Sequence, residues 1–334
     1  MKKLLSLLLT MCTLVVLLTG CGASKTAETS TKDSKDSKSK TYKVAMISDS
    51  TISDGGWGAA CYNAMITAAK EKGFETQYSD GLKSADFAQS IRSYADLGYD
   101  LIFAPGNQYS DAVKEVAKDY PDVHFALLNG TVETSNIVSL LPDAEQIGQM
   151  AGALAGLVSK TNNIGFIGGM ELDTTKAKLA SYKAAAQAIN PNIQVASAYA
   201  GSFSDTAKGM EIANSMITSK NVDVMFGDAS AVDSGARQAL ASHQNAFDIG
   251  QPSDLAKDDK SGIVISSVVT DNATMVKLCM DDVINGKFGN KTIYGNIENG
   301  CLSVGTISDK VPQDVKTKYL EIVDKIKAGT FIKK

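Results

Sequence analysis

Trp57 is the one tryptophan of the chain, and it closes the run Asp54-Gly55-Gly56-Trp57, with Gly58 after it and a helical pattern beyond. A tryptophan destined for a core sits more often inside an apolar strand or helix face. Glycines around it let the backbone bend sharply and let a flat partner approach. Two readings stand: a stacking platform, where base-on-aromatic contact is worth roughly 1–3 kcal/mol by analogy with nucleic-acid binding, or a residue packed between lobes. Phe203, in Gly201-Ser202-Phe203-Ser204-Asp205, is a second aromatic in a polar loop and suits the opposite face of a planar guest. Asp49, Asn107, Asn129, Asp228 and Gln251 each follow an apolar run. Each could turn a buried hydrogen-bonding group into a cleft, and each could equally serve as an ordinary turn or cap residue.

Residues arranged for bond-breaking chemistry are scarce. His124 falls in a strand pattern and His243 near a helix end, neither with a serine or cysteine in an elbow-type turn to activate. There is no P-loop, no GxGxxG after a strand and no HExxH. The glycines of Gly165-Phe166-Ile167-Gly168-Gly169 read as a strand with a tight exit turn, and Asp281 and Asp282 read as a solvated helix face. Cys61, Cys279 and Cys301 lack metal-ligand spacing and read as small buried hydrophobes. No cofactor is implied.

The elements that must position these loops alternate. A strand over 42–48 is followed by a helix over 59–72; strands over 75–78, 101–104 and 123–128 then alternate with helices over 85–97 and 110–119. After Pro142 a second series begins with a helix over 144–159, whose Met150-Ala151-Gly152-Ala153-Leu154-Ala155-Gly156 core suits close packing. Strands over 164–167, 194–200, 222–226, 248–250 and 263–269 alternate with helices over 177–189, 206–219, 231–242 and 272–286, and an amphipathic helix over 315–328 closes the chain. Open parallel sheets bind beyond the carboxyl ends of their strands. The loops to inspect are therefore 49–58, 105–109, 129–131, 168–173, 201–205, 227–230, 251–254 and 270–272. The expected partition puts 41–142 and 252–287 in one lobe and 143–251 and 288–334 in the other.

The first forty residues carry an address. Lys2 and Lys3 precede an apolar run from Leu4 to Leu18, too short for a comfortable span, which reads as a secretory signal peptide over 1–20. The run ends Leu18-Thr19-Gly20-Cys21, as a lipoprotein signal peptidase requires, so Cys21 is expected to be lipidated and to begin the mature chain at the outer face of the cell membrane. Residues 21–40 have no large apolar side chain and read as a flexible tether with a reach of about 25 Å. A formal net charge of −4 with no basic block argues against nucleic acid as a partner, and 44% hydrophobic residues argue against disorder. A monomer is expected.

The segments Gly165-Phe166-Ile167-Gly168-Gly169-Met170 and Tyr199-Ala200-Gly201-Ser202-Phe203-Ser204-Asp205-Thr206-Ala207-Lys208-Gly209, with the small-residue helix 150–156 and the closing Ile326-Lys327-Ala328-Gly329, resemble the basic membrane protein family of ABC-transporter binding lipoproteins over nearly the whole mature chain. The resemblance implies an α/β fold of the type I periplasmic-binding-protein class: two doubly wound lobes, a ligand cleft and a hinge of three crossings. It further implies delivery of a purine nucleoside or related compound to a membrane permease. On that pattern Trp57 takes the position of the stacking aromatic, Asp54 that of an acid before it, and Phe203 that of the aromatic on the other face. The chain departs from the pattern at four places. Gly58 stands for an asparagine, Asn129 and Gln251 for acids, and Thr270 for a lysine, several of which hold the ribose in family members. The stacking half is retained and the sugar-holding half altered, so a planar purine-like guest is expected, nucleoside or base. A neutral sugar-like or signalling solute, a sensing lipoprotein that imports nothing, and a nucleoside-processing enzyme are the alternatives.

Overall fold

The computed structural model describes residues 40–53 and 57–332. The expected signal peptide, Cys21 and the tether lie outside the described residues, and so do Asp54, Gly55 and Gly56. No described helix is long and apolar enough to cross a membrane.

The first sheet opens with β1 (Lys43–Ile47), α1 (Trp57–Lys72), β2 (Glu75–Ser79), α2 (Phe87–Asp96), β3 (Leu101–Ala104), α3 (Ser110–Ala117), β4 (His124–Leu128) and β5 (Ile137–Pro142). The second series runs α4 (Ala144–Val158), β6 (Asn163–Gly168), α5 (Asp173–Ile189), β7 (Gln194–Tyr199), α6 (Thr206–Lys220), β8 (Val224–Asp228), α7 (Ala231–Ala241), β9 (Phe247–Gly250) and β10 (Val264–Thr270). The chain ends with α8 (Asn272–Ile284), β11 (Thr292–Gly295), β12 (Leu302–Val304) and α9 (Gln313–Lys327). Among the described residues these strands make two six-stranded sheets, ordered β11-β5-β4-β3-β1-β2 and β12-β10-β9-β8-β6-β7. Every pairing is parallel except that of β10 with the edge strand β12. The buried strands read as unbroken apolar runs, as a sheet covered on both faces requires.

The strand pairing departs from the expected partition. β10 pairs with β9 and belongs to the second sheet, whereas β11 pairs with β5 and belongs to the first. Helix α8, between them, packs on α1, with Lys72 Nζ 2.7 Å from Asp281 Oδ2, so it returns to the first lobe. The chain thus crosses between lobes after Pro142, after Thr270 and again between Gly295 and Leu302. The segment 252–287 is divided between the sheets, and β11 returns to the first although 288–334 was expected in the second. Strands β5 and β11 were not among the expected elements: each pairs with a strand distant in sequence or across a long connection, and local periodicity carries no trace of such a partner.

The small-residue core of α4 does what its composition suggests. A methyl group at Gly152 would lie 2.1 Å from the Tyr182 carbonyl oxygen, and one at Gly148 2.1 Å from Ser181 Oγ, so α4 and α5 approach backbone to backbone. A central apolar cluster runs from Met46 and Leu101 through Met150 and Leu154 to Phe166 and Tyr319, joining the inner faces of both sheets. Separate outer clusters lie under α2 and α3 and under α6 and α7. Cys61, Cys279 and Cys301 are buried and form no disulfide among the described residues, and burial pushes the Cys301 thiol up to about 12. They pack as apolar side chains.

Candidate functional site

The carboxyl ends of both sheets border one recess of about 440 Å³. Trp57, Asn129 and Pro142 reach it from the first sheet; Lys178, Phe203, Asp228, Ser230, Asp233, Gln251 and Thr270 reach it from the second, and Asn272 stands at the start of α8. Of the ten positions singled out for the ligand, Trp57, Asn129, Phe203, Asp228, Gln251 and Thr270 therefore come together.

Trp57 opens α1, and its indole Nε1 donates to the Pro105 carbonyl at the end of β3 over 2.8 Å, which fixes the ring plane while 37% of the residue stays exposed. Phe203 is 42% exposed, and its ring lies on the bare Cα of Gly169: a methyl group there would sit 2.4 Å from Phe203 Cδ1. The turn that presents it is held by Ser202 Oγ, which accepts the Ser204 and Asp205 amides at 3.0 and 3.2 Å, and by Asp205, which caps α6 at Lys208.

Asp228 is the hub of the second wall. Its Oδ2 accepts from Thr175 Oγ1 at 2.7 Å, and its Oδ1 accepts from Lys178 Nζ at 2.7 Å and Gln251 Nε2 at 3.2 Å. Gln251 Nε2 also donates to the Gly227 carbonyl. The Gln251 amide nitrogen is thus committed to the wall, and its oxygen remains as an acceptor for a guest. Thr175 and Lys178 stand three apart near the start of α5, on one helix face, and that spacing lets both reach the same carboxylate.

Beside this hub, Asp233 is buried in the first turns of α7. Its Oδ2 accepts the Ala229 amide at 2.8 Å, and its Oδ1 has no hydrogen-bond partner. Burial pushes its carboxyl up to about 7, with the Ala229 hydrogen bond and the charge of Arg237 too weak to offset it. The carboxyl lies flat on Gly227, where a methyl group would fall 1.9 Å from Oδ1.

Asn129 takes a left-handed backbone, φ 59°, with its amide on the Leu140 carbonyl at 2.8 Å. Thr270 ends β10 and donates its amide to the Pro252 carbonyl at 2.8 Å.

The structure places three expected residues outside the lining of this recess. The Asp49 carboxylate is taken up by Tyr109 Oη at 2.7 Å and Gln108 Nε2 at 3.1 Å, and Asn107 accepts from Ser110 Oγ at the head of α3. Both act as the bland reading of a polar residue after a strand anticipated. Gly58 is buried in the first turn of α1, and Asp54 lies outside the described residues. Sequence reasoning missed Lys178 and Asp233. Both lie within helices, where a charged residue reads as part of a solvated face; the signal that could have found Lys178 is its spacing from Thr175.

Residues 41–333 match the family model described as ABC transporter substrate-binding protein, PnrA-like. The chain belongs to the PnrA-like substrate-binding family. Within it, the chain is 30% identical over 306 residues to the ABC transporter nucleoside-binding protein BmpA of Lactococcus lactis, covering 84% of this chain and 87% of that one. Two solved structures share the fold of this PnrA-like chain. A transcriptional activator of the comK gene from Bacillus halodurans superposes with a TM-score of 0.74 at 22% identity, covering 85% of this chain and 96% of that one. An ABC transporter solute-binding protein from Conexibacter woesei superposes with a TM-score of 0.69 at 23% identity, covering 87% and 100%. At those identities the structural likeness speaks to the fold: two parallel-dominated α/β lobes of the type I periplasmic-binding-protein class around a cleft. The expected family and fold class both hold.

Proposed function

We propose that this PnrA-like protein is the extracytoplasmic, Cys21-lipidated binding component of an ABC importer, that it holds a purine nucleoside or free purine base between Trp57 and Phe203, and that it does no chemistry on it. The observation that carries the reading is the pair of rings: two large aromatics, one from each lobe, both exposed and both bordering the same recess. Exposing such rings at strand ends costs apolar burial, and a flat guest between them restores it. A recess of about 440 Å³ suits a small guest of this class. Among the described residues, the charged side chains lining it are Lys178, Asp228 and Asp233. The one ammonium among the described lining residues is already paired with Asp228, so a phosphate dianion would meet no uncompensated positive charge there, and nucleotides are disfavoured against nucleosides and bases. Asn129, Gln251 and Thr270 border the recess as neutral hydrogen-bonding groups for the polar part of the guest, while Asp49 and Asn107 serve the loops behind it and Gly58 the first turn of α1. Closure would be a hinge motion at the three crossings, with the guest bridging both lobes and favouring the closed form. The partner is a permease in the membrane, approached by a monomer.

The test is to denature the mature protein purified from its own cells and identify what it releases by mass spectrometry, with a thermal-shift panel of bases, nucleosides and sugars alongside. A released purine and a raised melting temperature with purines are expected; a released sugar, with no response to purines, would overturn the reading. Cys21→Ser should free the protein from the membrane fraction.

A further inference from the structure

We propose that Lys178 is a specificity-determining residue of the cleft, selecting purines that carry an oxo group at C6 over those that carry an amino group; this rests on the purine reading above. The ammonium stands beside the Phe203 shelf through a short chain of contacts. Phe203 lies on Gly169, the Gly169 amide donates to the Asp228 carbonyl oxygen at 3.0 Å, and the Asp228 carboxylate holds Lys178 Nζ at 2.7 Å. All of this is at the point where β6 and β8 part, the switch point of the second sheet, where open α/β sheets take their ligands.

The donor pattern then decides. Asp228 already accepts from Thr175, Lys178 and Gln251, so it orients its neighbours and has little acceptor capacity left for a guest. Lys178 has three N–H donors and no acceptor, and Asp228 Oδ1 engages one of them. Its side chain is only 15% exposed, so a guest edge facing it meets a poorly hydrated, charged donor. Lys178 and Phe203 line the same recess, and in the proposed pose a ring lying on Phe203 turns its edge to that donor. The adjacent O6 and N7 of a 6-oxopurine are both acceptors and fit it; the exocyclic amine of a 6-aminopurine is a donor and leaves two donors face to face. A buried donor left unmatched in this way discriminates more strongly than a change in shape.

Calorimetric titration of the mature protein with inosine and adenosine, and with hypoxanthine and adenine, tests this, since within each pair the sugar is constant and the C6 edge differs. The wild type should bind the 6-oxo member about tenfold or more tightly. Lys178→Met should reduce the preference to less than about twofold. Because that variant strands the Asp228 carboxylate, Lys178→Met with Asp228→Asn is measured beside it, with circular dichroism to confirm the fold. Equal binding of oxo and amino purines by the wild type, or a preference that survives in the folded double variant, would overturn the role of Lys178 and leave the purine reading standing. If none of the four binds, the purine reading falls and this inference falls with it.

Discussion

The two walls of the cleft are built differently. On the first sheet the ring of Trp57 is oriented by one hydrogen bond to a strand-end carbonyl, and Asn129 stands exposed on a left-handed turn. On the second, a carboxylate gathers a hydroxyl, an ammonium and an amide, a buried acid caps the adjoining turn, and a glycine makes the bed for Phe203. The difference teaches a division of labour: the second wall is organised before any guest arrives, at some risk to stability if a part is removed, while the first wall can meet the guest late at little structural cost.

The largest effect is expected for Asp228→Ala, which leaves Lys178 mostly buried without its partner. Removing one member of such a pair costs about 3 kcal/mol, a fall in melting temperature of about 6–12 °C for a body of this size; a melting temperature within a degree of wild type would show the second wall to be no more braced than the first. Trp57→Ala is the counterpart on the first wall. It should lower affinity by roughly 1–3 kcal/mol in titration with the released ligand while leaving thermal unfolding nearly unchanged, and equal affinity in mutant and wild type would remove Trp57 from the site.

A pH series sharpens the contrast through Asp233. It faces Asp228 from β8 and Asp248 and Arg237 nearby, and burial raises its folded-state pKa to about 7, far above that of an unfolded aspartate. The folded state therefore binds more protons at this group than the unfolded one between those two values, so the stability Asp233 contributes is full below the pKa of an unfolded aspartate and is lost as pH rises through about 7. The share due to Asp233 is roughly 1.5 kcal/mol between pH 5.5 and 7. Asp248, buried and raised to about 6 despite Arg237, acts in the same direction at slightly lower pH. Urea unfolding of wild type and Asp233→Asn at both pH values should show a shallower decline in the variant. The smallest effect is expected for Gly169→Ala, whose methyl group would displace the Phe203 ring; overlap of this kind at an exposed shelf costs about 1 kcal/mol, read as weaker ligand binding with the melting temperature nearly unchanged.

Much of this fold was legible in the residues because strand, loop and helix alternate, with Gly73 and Gly98 (φ 76° and 72°) and Pro121 punctuating the helix ends, and each such unit folds on local pattern. What escaped was the destination of the last third. Val264–Thr270 and Thr292–Gly295 are equally plausible strands for either sheet, and only pairing with partners more than a hundred residues away, in the case of β11, decides. The site divides in the same way. Trp57 and Phe203 announced themselves as large rings in polar, glycine-rich loops, a placement that folding alone does not favour. Lys178 did not, because along a helix its charge resembles those of Lys176 and Lys183, and what separates it is a carboxylate fifty residues away. Asp49 and Asn107 show the converse: the right place after a strand, with partners of their own.

Having one indole in the whole chain, at the lip of the recess and tied to Pro105, has a practical corollary. Its fluorescence comes from a single environment, without contributions from other tryptophans to subtract. A ring laid against it should quench or blue-shift that emission, so occupancy could be followed optically in unlabelled protein, on the timescale of mixing.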